Sequence, residues 1–326
     1  MKNILVTGAT GVIGYNLVKR LLQDEEAMVF AAGRSMSKLE STFDEFKGSS
    51  NLQLCVYRDV IENIDSYSAF DYIYHAAGPM ERDIILNRSV DVVTPNIIDL
   101  HSIMEYAVCQ KQQNHSCRVV IFSSVTVYQN NTTEDIVVSE SDTQVAQTLD
   151  NPMVCYSESK RMSEVIARAY AKQYGIDVVI ARFSTVYGPT KNIPDTAFYN
   201  FIRKALAGED ITINGVGLPR RDNIYVDDAV EGVILVAEKG VCGEAYNVSS
   251  NETLGNYMAL DEIAKLICVT ANRHNGSNSQ VYVPASETRT PGLIMNNSKL
   301  SQLGWQMKYS INDGIILTMR DYRIEK

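Results

Sequence analysis

In the first half of the chain, apolar residues fall into short runs at 3–7, 27–32, 52–56, 72–75 and 118–123, with a further run at 178–183. Between several of these lie stretches with apolar residues at helical spacing, among them 12–22 and 95–113. Runs this short predict strands, and their alternation with helices predicts a parallel sheet covered on both faces. After Tyr187-Gly188-Pro189 the pattern turns mixed, and a Gly/Pro-rich loop follows at 215–219. The expected fold class is therefore α/β, a doubly wound parallel sheet with a smaller mixed α/β C-terminal lobe. The expected division is a dinucleotide-binding domain over 1–183, with returns near 225–248, and a substrate-binding lobe over 184–326.

The first run ends in Thr7-Gly8-Ala9-Thr10-Gly11-Val12-Ile13-Gly14. A tight strand-to-helix turn needs a residue that tolerates positive φ. Missing Cβ atoms let the backbone approach a pyrophosphate and let the helix pack close to the strand. The helix that follows aims its free N–H groups and positive dipole end at the phosphates. A strand before and a helix after make this a Rossmann-type turn. Gly8, Thr10, Gly11, Val12, Ile13 and Gly14 are the expected cofactor contacts. The second strand ends Ala31-Ala32-Gly33-Arg34-Ser35, with no carboxylate to take the ribose hydroxyls of NAD. Arg34 suits the extra phosphate of NADP, and so favours that cofactor.

Tyr156-Ser157-Glu158-Ser159-Lys160 places Tyr156 and Lys160 one helical turn apart on one face. Met162, Val165, Ile166 and Ala169 continue an apolar stripe that supports a helix here. A free phenol titrates near ~10 and is a poor base at neutral pH. A neighbouring ammonium is expected to lower that value. Tyr156 can then exchange a proton with a substrate oxygen while Lys160 also holds the nicotinamide ribose. Ser123 and Ser124 close the 118–123 run, at the end of the sheet where an open α/β fold presents its ligand site. The Ser124 hydroxyl can bind the same oxygen as Tyr156.

Composition excludes more than it selects. The net charge of -9 argues against nucleic acid as a partner, because a phosphate backbone calls for a cationic face. Six cysteines without a C-x-x-C pair give neither a disulfide framework nor a redox motif, so a reduced, cytoplasmic setting is expected. The first strand begins by Asn3, which leaves no room for a signal peptide. No apolar run is long enough to span a bilayer, so no membrane partner is expected. Four histidines without paired spacing predict no metal site.

Together these residues resemble the extended short-chain dehydrogenase/reductase family, NAD-dependent epimerases and dehydratases that modify nucleotide-diphosphate sugars. The resemblance extends to Asp59-Val60, similar to the family's adenine contact, and to His75-Ala76-Ala77-Gly78, which implies that Ala76, Ala77 and Gly78 line the cofactor. It includes Pro95-Asn96-Ile97, the segment from Arg182 to Pro189, and Arg221-Asp222-Asn223-Ile224-Tyr225-Val226-Asp227-Asp228. The tail Ser298-Lys299-Leu300-x-x-Leu303-Gly304-Trp305 is similar too. It implies that Arg221 and Arg289 bind the substrate's diphosphate, which suits guanidinium forks. Arg182 reads as an internal brace. The family's four-helix interface implies a homodimer. It would use the 95–113 helix, with its wide apolar face of Ile97, Ile98, Leu100, Ile103, Met104, Ala107 and Val108, paired with the Tyr156 helix.

The resemblance also bears on the reaction. Dehydratases and decarboxylases of the family carry an acidic residue where this chain has Thr126, and dehydratases carry another at Val125. Proton abstraction beside a carbonyl needs such a base. Ser124-Val125-Thr126-Val127-Tyr128 instead is similar to the segment of UDP-galactose 4-epimerases, which makes Thr126 a substrate contact. Gln129 departs from the family's usual glycine. The expected reaction is 4-epimerisation of a nucleotide-diphosphate sugar by transient oxidation at C4, for which NAD is the usual cofactor. An NADPH-dependent 4-ketoreductase or a 4-dehydrogenase is the alternative that Arg34 favours. A non-catalytic nucleotide sensor is a third, disfavoured because Ser124, Tyr156 and Lys160 are all present.

Overall fold

Seven strands pair in parallel in a single sheet. Across it they run Leu52–Val56, Ala27–Gly33, Lys2–Thr7, Tyr72–His75, Arg118–Ser124, Asp177–Phe183 and Ala245–Val248. The computed structural model describes residues 1–63, 69–128, 134–142, 148–213, 218–283 and 289–324. Gln129, most of the 215–219 loop and the Arg289 side chain lie outside that description. Leu5 and Val6 are neighbours on one strand and so face opposite sides of the sheet, yet both are fully buried. They belong to two separate apolar clusters, one on each face. That double burial is why the strands read as continuous apolar runs rather than alternating ones.

Strand order reverses between Lys2–Thr7 and Tyr72–His75. The chain first moves outward to Ala27–Gly33 and Leu52–Val56, then returns to the other side of its first strand. Such a switch point opens a crevice beyond the carboxyl ends of the strands, where α/β sheets bind ligands. The seventh strand comes from beyond residue 184 and pairs with Asp177–Phe183. The helix Val226–Lys239 joins the same apolar cluster as the glycine-turn helix Val12–Leu21.

The rest of the second half surrounds the strand Leu218–Tyr225. It pairs antiparallel with Tyr257–Ala259 and parallel with Thr185–Tyr187 and Arg289–Thr290. The tail is latched by Asp228, whose carboxylate accepts from the backbone N–H groups of Lys308 and Tyr309. Trp305, buried, donates to the Asp228 carbonyl at 3.0 Å.

The predicted helix over 95–113 is broken into pieces. Ser89–Thr94 is α-helical, Pro95–Asp99 forms a π turn, and Leu100–Gln112 resumes the α-helix. Proline has no N–H to give the preceding turn, so the ladder widens where it enters. Most of the apolar face expected to meet a second copy is consumed within the chain, with Leu100, Ile103 and Met104 fully buried against the sheet. Ile98 is 59% exposed, and on the Tyr156 helix Val154–Tyr174 Met162 and Val165 are 49% and 53% exposed. Among the described residues, no helix is long and apolar enough to cross a membrane.

Candidate active site

The glycine turn occupies the switch point. Gly8 sits at φ +65, and a Cβ there would lie 2.7 Å from the Ala76 carbonyl oxygen. The end of the first strand therefore touches the segment Ala76-Ala77-Gly78 directly. At Gly14 a Cβ would fall 2.3 Å from the Gly8 carbonyl oxygen, so the helix lies as close to the strand as backbone permits. At Gly11 a Cβ would meet only that same carbonyl, at 3.4 Å, with open space beyond. Gly11 caps the Val12–Leu21 helix without a side-chain hydrogen bond, and its first turn carries no acid. Close packing, an open approach and an uncapped helix N-terminus together fit the diphosphate of a dinucleotide.

The surroundings stiffen this cradle. His75 is buried between Thr7 and Pro95. A carbonyl only accepts, so Nε2–H donates to the Pro95 oxygen at 2.9 Å, and Nδ1 accepts from the Thr7 hydroxyl at 3.0 Å. Burial lowers the His75 pKa to about 4, keeping the ring neutral. From the other side, Asn16 donates to the Pro189 carbonyl at 2.9 Å and Asn192 to the Thr10 carbonyl at 3.1 Å. Arg34 is exposed beyond the second strand and has no partner among the described residues. Asp59 is exposed on the short helix Tyr57–Glu62, while Val60 beside it is buried.

Ser124, Tyr156 and Lys160 meet at the carboxyl end of the sheet, and all three are buried. Ser124 Oγ accepts from the Thr126 N–H at 3.3 Å and lies near enough to the Tyr156 hydroxyl to pull its pKa down. Lys160 Nζ donates to the Phe122 carbonyl at 2.8 Å and lies 6.0 Å from the centre of the Tyr156 ring. A Cβ on Gly78 would come within 3.3 Å of that ammonium. Burial lowers the Lys160 pKa to about 8.

The expected lowering of the Tyr156 pKa by Lys160 does not hold in this state. Burial raises the phenol, and the Ser124 hydrogen bond only partly offsets it. The ammonium is committed to a carbonyl, and burial penalises the phenolate more than it penalises the neutral ring. Thr126 Oγ1 is buried and has no hydrogen-bond partner, as is Ser184 Oγ. An unmade hydrogen bond of this kind costs about 1–3 kcal/mol, and a ligand oxygen would relieve it.

Two arginines lie near each other. Arg221 lies on the strand Leu218–Tyr225, crowded by protein yet open to solvent. Its pKa is lowered, first by that crowding and then by the charge of Arg82 on the short helix Arg82–Asn87. Neither has an acidic partner among the described residues. The residues after Arg82 lead to the reacting group, since Ile84 and Ile85 pack in one cluster with Tyr156. Sequence reasoning passed over Arg82, because a lone arginine on a short helix carries no pattern. It also passed over Glu164, whose carboxylate accepts from Ser123 Oγ at 2.5 Å behind the site. A signal for Glu164 was present, since 156, 160 and 164 share one helical face. Backbone of Arg289 pairs with Leu218, which brings that residue's strand beside Arg221's.

A parallel α/β sheet with a dinucleotide cradle at its switch point, and a Ser-Tyr-Lys set at the adjoining strand end, defines a nicotinamide-dependent enzyme. The NAD dependent epimerase/dehydratase family model matches residues 4–249, and the chain belongs to that family. It is 28% identical to UDP-glucuronic acid decarboxylase 6 of Arabidopsis thaliana, over 98% of this chain and 89% of that protein. It is 26% identical to the dTDP-D-glucose 4,6-dehydratase of Bos taurus, over 99% of this chain and 89% of that one. The crystal structure of UDP-glucuronic acid 4-epimerase from Bacillus cereus, in complex with UDP-glucuronic acid and NAD, superposes with a TM-score of 0.79. It shares 24% identity and covers 99% of this chain and 100% of its own. The extended short-chain dehydrogenase/reductase assignment and the Rossmann-type fold thus both hold.

Proposed function

We propose that the protein is a nucleotide-diphosphate-sugar 4-epimerase. The observation that carries this is the segment between Ser124 and Tyr128, which holds no carboxylate, and whose Thr126 offers a buried, unpartnered hydroxyl instead. Relatives that eliminate water or lose a carboxylate would need a base there, by the resemblance described above. A hydroxyl binds a sugar oxygen but does not take a proton from carbon.

In this reading Gly8, Thr10, Gly11, Val12, Ile13 and Gly14 hold the cofactor's diphosphate, Asp59 and Val60 its adenine end, and Ala76 to Gly78 its inner edge. A nicotinamide held there would supply reversible hydride acceptance for C4. Tyr156 takes the C4 hydroxyl proton and later returns it. Ser124 hydrogen-bonds the same oxygen as its charge develops, and the Lys160 ammonium stabilises that charge from the Phe122 side. Arg221 and Arg82, with Arg289 on the neighbouring strand, suit a diphosphate about which the sugar can turn. A site of this kind would invert C4 with no net redox change.

A second reading has one observation behind it. Arg34, exposed and unpartnered where NAD enzymes place a carboxylate, favours NADPH and a single reduction of a 4-keto sugar. A panel of UDP-, dTDP-, GDP- and CDP-sugars, each offered with NAD or NADPH and followed by NMR, separates the two. Inversion at C4 without net redox change is the expected result. Net consumption of NADPH would sink the epimerase reading.

Assembly is a further part of the proposal. Ile98, Met162 and Val165, exposed on adjoining helices, support a homodimer formed across that face. Met162→Glu is expected to yield a monomer in light scattering. A wild-type chain that already runs as a monomer would remove the dimer.

A further inference from the structure

Behind Ser124 lies a buried polar network that the proposed chemistry does not use. Arg182 is fully buried and Glu164 3% exposed. The guanidinium grips the carboxylate with two donors, Nε to Oε1 at 2.9 Å and Nη2 to Oε2 at 2.7 Å. Oε1 also accepts from Ser123 Oγ at 2.5 Å. The remaining nitrogen, Nη1, donates to the Tyr128 hydroxyl at 2.7 Å and to the Glu140 carbonyl at 3.2 Å. The Tyr128 hydroxyl donates to Asn247 Oδ1 at 2.7 Å, and its ring lies under the guanidinium, 4.9 Å away.

A buried ion pair is weak support for a fold. Apolar residues of similar volume often serve stability as well or better, because two charges lose their water. What this pair does supply is direction. Arg182 is the hub, and its two arms end at Ser123 and Tyr128, on either side of the segment that carries Ser124 and Thr126. Between the two anchors the chain makes a single 3-10 turn, Val125–Val127, capped by the Ser124 hydroxyl itself. Glu164 sits two helical turns beyond Tyr156 on the same face as Lys160. One helix thus carries the tyrosine, the lysine and the anchor for the serine.

We propose that Arg182 and Glu164 are positioning residues that hold the Ser124 hydroxyl against Tyr156 by fixing both ends of the turn between Ser123 and Tyr128. This rests on the reading in which Ser124 and Tyr156 share one substrate oxygen. A hydroxyl displaced by ~1 Å can cost a hundredfold in rate without loss of binding.

Removing Arg182 or Glu164 leaves a lone buried charge and risks unfolding, so the test acts on the arms. Ser123→Ala and Tyr128→Phe each remove one arm and leave the pair intact. Two readouts apply. One is the ¹³Cζ resonance of Tyr156 in tyrosine-labelled protein, identified by its absence in Tyr156→Phe. The other is kcat and KM with the nucleotide sugar that the panel shows to be turned over.

Each single variant is expected to shift the Tyr156 resonance in the direction that Ser124→Ala shifts it. Each is expected to lower kcat by about tenfold with KM little changed. In a Ser124→Ala background, Ser123→Ala should then add nothing, because its effect runs through the missing hydroxyl. The same shift and the same loss in both backgrounds would mean a merely structural role and overturn the proposal, as would no shift in the single variants. A Ser124→Ala protein with an unmoved resonance and full turnover would overturn the reading of the site itself, and the positioning role with it.

Discussion

Tyr156→Phe is expected to cut turnover about a thousandfold while leaving cofactor binding and Tm unchanged, the size typical of a lost proton-transfer group. The ring is buried against Ile85 and Val92, so the aromatic packing survives the substitution. Only the hydroxyl, with the influence of Ser124 on it, is lost. The phenol gains no help from Lys160 in the free protein, where burial keeps it above its ordinary value. The phenol is therefore held in its neutral form in the free protein. Stopped-flow turnover beside calorimetric titration with NAD checks both halves of the statement. Turnover within a few-fold of wild type would remove Tyr156 as the proton carrier. A parallel loss of NAD binding would instead mark it as a cofactor contact.

The second large effect is expected at Gly14. In Gly14→Ala the new methyl would fall 2.3 Å from one backbone atom, the Gly8 carbonyl oxygen, and 2.9 Å from another, the Ala9 Cα. Neither can swing aside as a flexible side chain would. The helix must lift from the strand, at a cost of about 1–3 kcal/mol for overpacking. Its N-terminus moves with it, and NAD affinity is expected to fall more than a hundredfold. Gly11→Ala makes the contrast, because its methyl meets only one carbonyl at 3.4 Å and otherwise points into the open crevice. There Tm should hold while NAD binding weakens. Equal Tm for the two variants, read by calorimetry, would contradict this division of labour between packing and approach.

Much of the sheet was legible because burial on both faces leaves a plain trace. Runs such as Leu5-Val6 and Val119-Val120-Ile121 need no periodicity to be read as strands. The glycine turn was legible from its context, and Ser124, Tyr156 and Lys160 from their spacing and their place at strand ends. Less visible was anything that depends on how distant pieces meet. The π turn at Pro95–Asp99 hides inside an apolar pattern that looks like one helix, and only the proline hints at it. Its apolar face looked broad enough for a partner, yet Leu100, Ile103 and Met104 turn to the protein's own sheet. Arg82 has no local signature, since its relation to Arg221 arises from tertiary placement. The tyrosine's titration was misjudged for a related reason. Helical spacing measures nearness to a charge, whereas desolvation depends on everything packed around the ring.

The seventh strand has a consequence for how the chain comes to be folded. Ala245–Val248 covers the edge of Asp177–Phe183, and its Asn247 side-chain oxygen accepts from the Tyr128 hydroxyl. Until it is made, a growing chain exposes an unpaired, apolar strand edge for on the order of several seconds of translation. Such an edge invites pairing with other chains. The sheet is therefore complete only once residues from both halves of the sequence are in place. A piece ending at residue 183 would keep an open seam along Asp177–Phe183 where the seventh strand belongs.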